Sequence, residues 1–268
     1  MNRAWLNRIR PTIRPITLVF LLLFLAHSAT AVEILEEIIE QRHVVDPDGT
    51  LSIHDTDGSI QIYGSDGSEI SIQAIKKAYT QDRLKSIVVD VKATAKSIAI
   101  ETIIPPGKRA LSLSDRSGTV EYIVTVPQTI RITKLDLANG EILVEGLRGG
   151  SARAHLVNGL MTAHNCFGDL DLTIVNGRLE FVYDWWDSRK FSVKASSQNA
   201  SIRAILPSDS SAAIAAQAPT GWIVSDFDAR NAGPVEPAHA LNFSIGTERD
   251  AVLQMTAAKG NIRIQKMY

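Results

Sequence analysis

The chain has 268 residues, 45% of them hydrophobic and 21% charged, with a formal net charge of -1. Those values exclude a disordered polyelectrolyte and a strongly basic nucleic-acid binder, and they leave ample length for a buried core. A single cysteine excludes an internal disulfide framework and a four-cysteine zinc site.

Residues 1–31 read as a targeting segment rather than as fold. Arg3, Arg8, Arg10 and Arg14 form a basic start, and an apolar run from Ile16 to Ala26 follows, interrupted only by Thr17. Ala29 and Ala31 then give the small-x-small pattern that a signal peptidase accepts, so cleavage is predicted after Ala31. The apolar run is about half the roughly 20 residues that a spanning helix needs. Loss of the four arginines leaves 24 basic against 29 acidic side chains, a net of -5, which disfavours anionic partners such as nucleic acid. No later segment is long and apolar enough to be a transmembrane helix.

Residues 32–43 form a lead-in or cap, readable as a short helix or as extended chain. From Val44 onward the apolar period is two. It is seen in Leu51-Ser-Ile53, Ile60-Gln-Ile62, Ile70-Ser-Ile72, Ile87 to Val91, Ile98-Ala-Ile100 and Val120 to Val126. β-branched residues dominate these runs, as pleated strands prefer. No long amphipathic helix is predicted, and residues 44–268 read as one all-β domain.

Two internal repeats organise this domain. Asp48-Gly49, Asp57-Gly58 and Asp66-Gly67 fall nine residues apart, each before a strand, and read as tight turns. The longer repeat centres on Asn139-Gly140, Asn158-Gly159 and Asn176-Gly177, whose glycines are 19 and 18 apart. Weaker copies place Asn199-Ala200, Gly221 and Gly260 at the same point, with Asn231 to Ala240 as an exposed loop replacing one corner. Such a period fits a β-solenoid, in which coils of about 19–20 residues stack and like residues lie above one another. Asn139, Asn158 and Asn176 would then form an amide ladder, and Ile142, Met161 and Leu179 an apolar column. An antiparallel meander or sandwich, with each Asn-Gly closing a hairpin, is the alternative.

The order of these motifs resembles that of the bacterial "putative adhesin" family. The resemblance rests on Val44 to Ile53, Thr56 to Gly64, Tyr122 to Pro127 followed by Leu135 to Leu147, the repeated Asn-Gly corners, and Lys259 to Ile264. It covers about residues 44–267. It implies an exported β-solenoid domain of unknown activity, and it implies no catalytic residues. The missing glycine at Ala200 and the loop near Pro234 depart from the pattern in the late coils.

Candidate sites are few. Asp46, Asp48, Asp55, Asp57 and Asp66 could supply oxygens to calcium, but each has a local role in its own turn. His155, His164, Cys166 and Asp169 lie close enough to suggest zinc or copper. A small buried cysteine with surface histidines is the plainer reading. Asp169 and Asp171 share a strand face and are the only carboxylate pair that invites a polysaccharide-cleaving reading. Asp184, Trp185, Trp186 and Asp187 place aromatic rings beside carboxylates, the chemistry that stacks on and hydrogen-bonds to sugars. Lys266 on the would-be lipid face argues against a membrane barrel. The expected function is therefore a non-enzymatic binding or structural module of the bacterial cell envelope, adhesin-like, with no cofactor. Its expected partner is a surface glycan or envelope protein, in the periplasm or at the cell surface. The alternatives are a periplasmic accessory protein for a membrane partner and an envelope polysaccharide-acting enzyme.

Overall fold

The computed structural model describes residues 33–46, 48–106, 117–227, 238–247 and 250–267. The targeting segment with Ala29 and Ala31, and most of the 231–240 stretch, lie outside the described residues.

The four Asn copies sit in the middle of four long strands: β7 (Arg131–Glu145), β8 (Arg148–His164), β9 (Phe167–Val182) and β10 (Phe191–Pro207). Consecutive members pair in parallel, with Asn139 opposite Asn158, Asn158 opposite Asn176 and Asn176 opposite Asn199. Parallel neighbours usually need a crossover of about a dozen residues or more. Here residues 146–147 join β7 to β8, and 165–166 join β8 to β9. Such links are possible only if each long strand doubles back at its corner and ends near where it began. The burial pattern records the fold-back. In β7, Leu135 and Leu137 are buried before the corner and Ile142 and Val144 after it, so the alternation changes parity across Asn139-Gly140. Parallel pairing at these copies excludes the hairpin meander there.

Among the described residues the remaining strands complete one mixed sheet of fifteen. They are β1 (Leu35–Val44), β2 (Thr50–Ser65), β3 (Glu69–Ala78), β4 (Val88–Ala93), β5 (Ser97–Ile103) and β6 (Thr119–Pro127) on the N-terminal side. On the C-terminal side are β11 (Ala212–Gln217), β12 (Ile223–Ser225), β13 (Ala240–Ile245), β14 (Ala251–Ala257) and β15 (Ile262–Met267). The helix described, α1 (Gln81–Ser86), is a six-residue turn between β3 and β4, started by Thr80, whose hydroxyl accepts from the Arg83 N–H at 3.3 Å. No described helix is long and apolar enough to cross a membrane.

The structure decides between the two readings of the lead-in and corrects the turn reading of Asp57-Gly58. Residues 35–44 are strand β1, antiparallel to β3, because Ile38, Ile39 and Val44 suit an extended edge better than a helix. Asp57-Gly58 is no tight turn. It lies within β2, in register with Asn139-Gly140, and is an acidic copy of the same corner. Stacking also departs from chain order at both ends. β2 lies between β7 on one side and β5 and β6 on the other. At the far end, β14 and β15 slot between β10 and the earlier strands β11 and β12. The final strand therefore caps nothing: Ile262 faces Ile202 on one side and Ile223 on the other.

The corners require glycine where the backbones of neighbouring strands nearly touch. Gly140, Gly159 and Gly177 have φ of 135°, 141° and 123°. A Cβ on Gly159 would fall 1.8 Å from the Gly140 carbonyl oxygen. Gly260 and Gly221 continue the column beyond Ala200, each facing the backbone of the preceding layer. Gly159→Ala is therefore expected to destabilise the protein by about 3 kcal/mol or more, through both strain and clash. Ala200→Gly, at the one copy that already accepts a Cβ, should cost about 1 kcal/mol or less. Thermal melting of the two variants checks the contrast.

Candidate functional site

The corner side chains form a hydrogen-bonded row. Asn139 Nδ2 donates to Asp57 Oδ1 at 2.8 Å, Asn158 Nδ2 to Asn139 Oδ1 at 2.8 Å, Asn176 Nδ2 to Asn158 Oδ1 at 2.9 Å and Asn199 Nδ2 to Asn176 Oδ1 at 3.1 Å. An amide both donates and accepts, so each Asn serves two layers at once. The acceptor-only Asp57 suits the end of such a row.

The aromatic segment follows β9. Tyr183 is fully buried, and its hydroxyl donates to the Cys166 carbonyl at 2.9 Å. Trp186 packs inward, with ring centroids 5.6 Å from Tyr183 and 5.4 Å from Phe191. Trp185 points the other way. It rests on Phe167 at 4.4 Å and under the Arg148 guanidinium at 4.9 Å, and it keeps 41% of its surface exposed. Both neighbouring carboxylates are already engaged. Asp184 accepts from Asn165 Nδ2 at 3.0 Å and lies 2.7 Å from His164 Nε2, and these bonds hold it below the usual carboxylate range. Asp187 bridges Arg148 at 3.1 Å and Arg189 at 2.8 Å. Burial acts against its ionised form, but the Arg189 N–H and the two guanidiniums keep it low. The four residues thus divide: Trp185 is presented to solvent, Trp186 is half-buried against the core, and the two aspartates brace the loop.

Beside this loop runs a polar groove across the outer face of the first halves of β7 to β10. Its larger part holds about 450 Å³, lined by Arg131, Ser151, Arg153, Asp169, Asp171 and Lys194. It continues past Gly149 and Gly150, and a Cβ on Gly149 would lie 3.7 Å from an Arg189 nitrogen. Asp169 accepts from the Ser192 hydroxyl at 2.7 Å, and Asp171 pairs with Arg153 at 3.4 Å.

The metal expectations do not assemble. Among the described residues no group of three His, Cys, Asp or Glu side chains could hold an ion. Cys166 is buried and its thiol is pushed up to about 12 by that burial, and it donates to the Val144 and His164 carbonyls rather than meeting the imidazole. His155 lies 3.9 Å from Asp136 instead. The calcium candidates disperse as well: Asp66 accepts from Gln128, Asp57 from Asn139, and Asp55 turns into the core.

Asp55 is the polar residue that sequence reasoning missed. The run Leu51, Ile53, Asp55 keeps period two, so the alternation itself points the third member inward. Its Oδ1 accepts from the Thr56 N–H at 2.8 Å, and its Oδ2 has no partner among the described residues. Thr102, on the adjoining strand, shares a 2.6 Å hydrogen bond with the Tyr122 hydroxyl. Burial pushes the Asp55 carboxyl up to about 7, against the opposing pull of the Thr56 N–H and the nearby Thr102 hydroxyl. The folded state therefore holds a proton that the unfolded chain releases near pH 4. Stability from this group is complete below that value and is lost as pH rises toward 7. Across pH 4 to 8, Asp55→Asn should remove a stability loss of about 2–4 kcal/mol relative to the parent, read as a flattened profile of Tm against pH.

No family model matches the chain, and no curated protein matches it. Among solved structures it is similar to a "putative cell adhesion protein" from Clostridium sporogenes. The TM-score is 0.52, with 15% identity, over 86% of this chain and 100% of that one. A "putative adhesin" from Bacteroides fragilis aligns at a TM-score of 0.31 and 14% identity, over 86% of this chain and 97% of that one. A "putative lipid binding protein" from Parabacteroides distasonis aligns at 0.26 and 11%, with the same coverage. The likeness to the Clostridium protein is one of fold.

Proposed function

We propose that this chain is an exported, non-enzymatic β-solenoid module of the bacterial cell envelope that binds an extended polar ligand, in the manner of an adhesin. The observation that carries the reading is the groove across β7 to β10, whose Gly149 end lies against Arg189 of the same segment that presents Trp185 to solvent. Parallel strands in fixed register make the rigid floor. The polar and charged groups of the floor suit hydroxyls, and an indole beside them suits the C–H face of a sugar ring. The carboxylates argue for binding over hydrolysis. Asp169 and Asp171 are held by Ser192 and Arg153 on an open surface, not paired across a substrate cleft. The shared fold with the Clostridium sporogenes "putative cell adhesion protein" adds support for the adhesin-like role.

Binding is tested on an array of envelope and host-surface glycans. Trp185→Ala should weaken any glycan bound by about tenfold, the loss expected for one stacking contact, while leaving the melting temperature within a few degrees of the parent. A chain that binds no glycan, or binds equally without Trp185, refutes the groove reading. Protease treatment of intact cells tests location. Digestion before the outer membrane is opened supports a surface adhesin, whereas protection until then supports the accessory role in the periplasm.

A further inference from the structure

The sheet has an open edge at β1, which among the described residues pairs with β3 alone. Exposed edges are usually kept short, bulged or covered. This one is ten residues long, in unbroken register with β3, and mixes apolar and charged residues on its outward face. Ile34, Ile38 and Val44 are 53%, 56% and 68% exposed, and all three lie on the same outward side with Glu36, Glu40 and Arg42. Leu35 and Ile39, on the other side, pack against the core.

The charges on this strand are ordered. Across the outward face, Glu121 pairs with Lys77 at 2.8 Å and Lys77 with Glu36 at 3.4 Å. The alternating row then stops at the edge on an anion. Arg42, six residues along the same strand and face, makes no ion pair with a described residue and stands opposite Ser71 on β3. The edge therefore ends on one half-satisfied anion and one unpartnered cation.

We propose that a second copy of this chain occupies the edge, its β1 antiparallel to the first about a two-fold axis at Ile39. In that register Glu36 faces Arg42 of the partner subunit, and Arg42 faces the partner's Glu36. Ile34 meets the partner's Val44 and the reverse, Ile38 faces the partner's Glu40, and Ile39 meets the partner's Ile39. Every exposed apolar residue of the strand is covered, and the row becomes Glu121, Lys77, Glu36, Arg42. The register is selective. A slip by two residues in one direction sets Glu36 against the partner's Glu40, and in the other direction Glu40 against the partner's Glu40. Like charges directly opposite are unfavourable. Head-to-tail stacking on the far edge lacks this match, because β13 (ALNFSI) carries no charged residue to meet Glu36 or Arg42. A self-complementary patch is what a closed two-fold dimer requires.

Sedimentation equilibrium of the purified chain over a dilution series tests the proposal. The parent should dimerise reversibly. Arg42→Glu, which breaks no ion pair within the monomer, should raise the dissociation constant about tenfold or more. Glu36→Arg should do the same, and the double exchange E36R/R42E should return it to within about threefold of the parent. Circular dichroism confirms that each variant remains folded. A parent that stays monomeric overturns the proposal. So does an Arg42→Glu variant that associates as well as the parent, or a double exchange no better than its singles. None of these outcomes bears on glycan binding at Trp185, which lies on a different part of the sheet.

Discussion

The structure depends on how closely successive backbones approach at the corners. A Cβ on Gly140, Gly159 or Gly177 would lie 1.8 to 1.9 Å from the carbonyl oxygen of the layer before it. That contact fixes the relative height of each pair of layers. A shift of one residue would put a side chain where only hydrogen fits. Once the glycines are aligned, the asparagines beside them are aligned too, and each amide finds the next within hydrogen-bond distance. The apolar columns follow from the same alignment. Ile142, Met161, Leu179 and Ile202 share a register position and are buried together. The register also carries the groove, because outward residues of one layer stand directly beside those of the next.

The ends are built differently from the middle. In the middle, each layer pairs with the one before and the one after it in sequence. At both ends the layer nearest the terminus is placed second from the tip, and a layer from deeper in the chain forms the tip. β2 lies inside β5 and β6, and β14 and β15 lie inside β11 and β12. β2, β14 and β15 thereby have strand partners on both sides, where an outermost position would offer one. The outer positions are then closed by antiparallel strands, β1 and β3 at one end and β13 at the other. Both edges are finished with antiparallel pairs, but only β1 presents charged and apolar residues in a pattern that matches itself.

Much of this was legible in the residues. Alternation of β-branched residues gave the strands, and the Asn-Gly spacing located three corners and three weaker ones. Asp57-Gly58 was hidden by a second periodicity. Its nine-residue spacing from Asp48-Gly49 and Asp66-Gly67 suggests a turn, and nothing local distinguishes a corner glycine from a turn glycine. The order of layers at the ends was not legible. An alternating strand records which side chains face inward but not which strand lies beside it. The lead-in residues 35–44 were ambiguous for a related reason: their isoleucines and glutamates fit one face of a helix nearly as well as the two faces of a strand. At the candidate site, the composition around Trp185 and Trp186 suggested sugar chemistry. Which tryptophan meets solvent was set by Phe167, Phe191 and Arg148, far from them in spacing terms. Asp55 was readable from parity alone, and it shows that an acidic residue in an apolar phase is worth tracing inward.

The inserted C-terminal layer has a consequence for how the chain is assembled. A polypeptide delivered from its N-terminus can add the layers from β7 to β10 in sequence, each onto a finished neighbour. β11 and β12 cannot follow that rule. Their parallel neighbour, β14 with β15, emerges about forty residues later, so the tip must wait or sit misplaced against β10. β14 and β15 act as a keystone, and the tip acquires its final neighbours only after the keystone is in place. Vectorial delivery builds the shaft, while closure of the tip is a separate, late event that reports that residues up to Met267 have arrived.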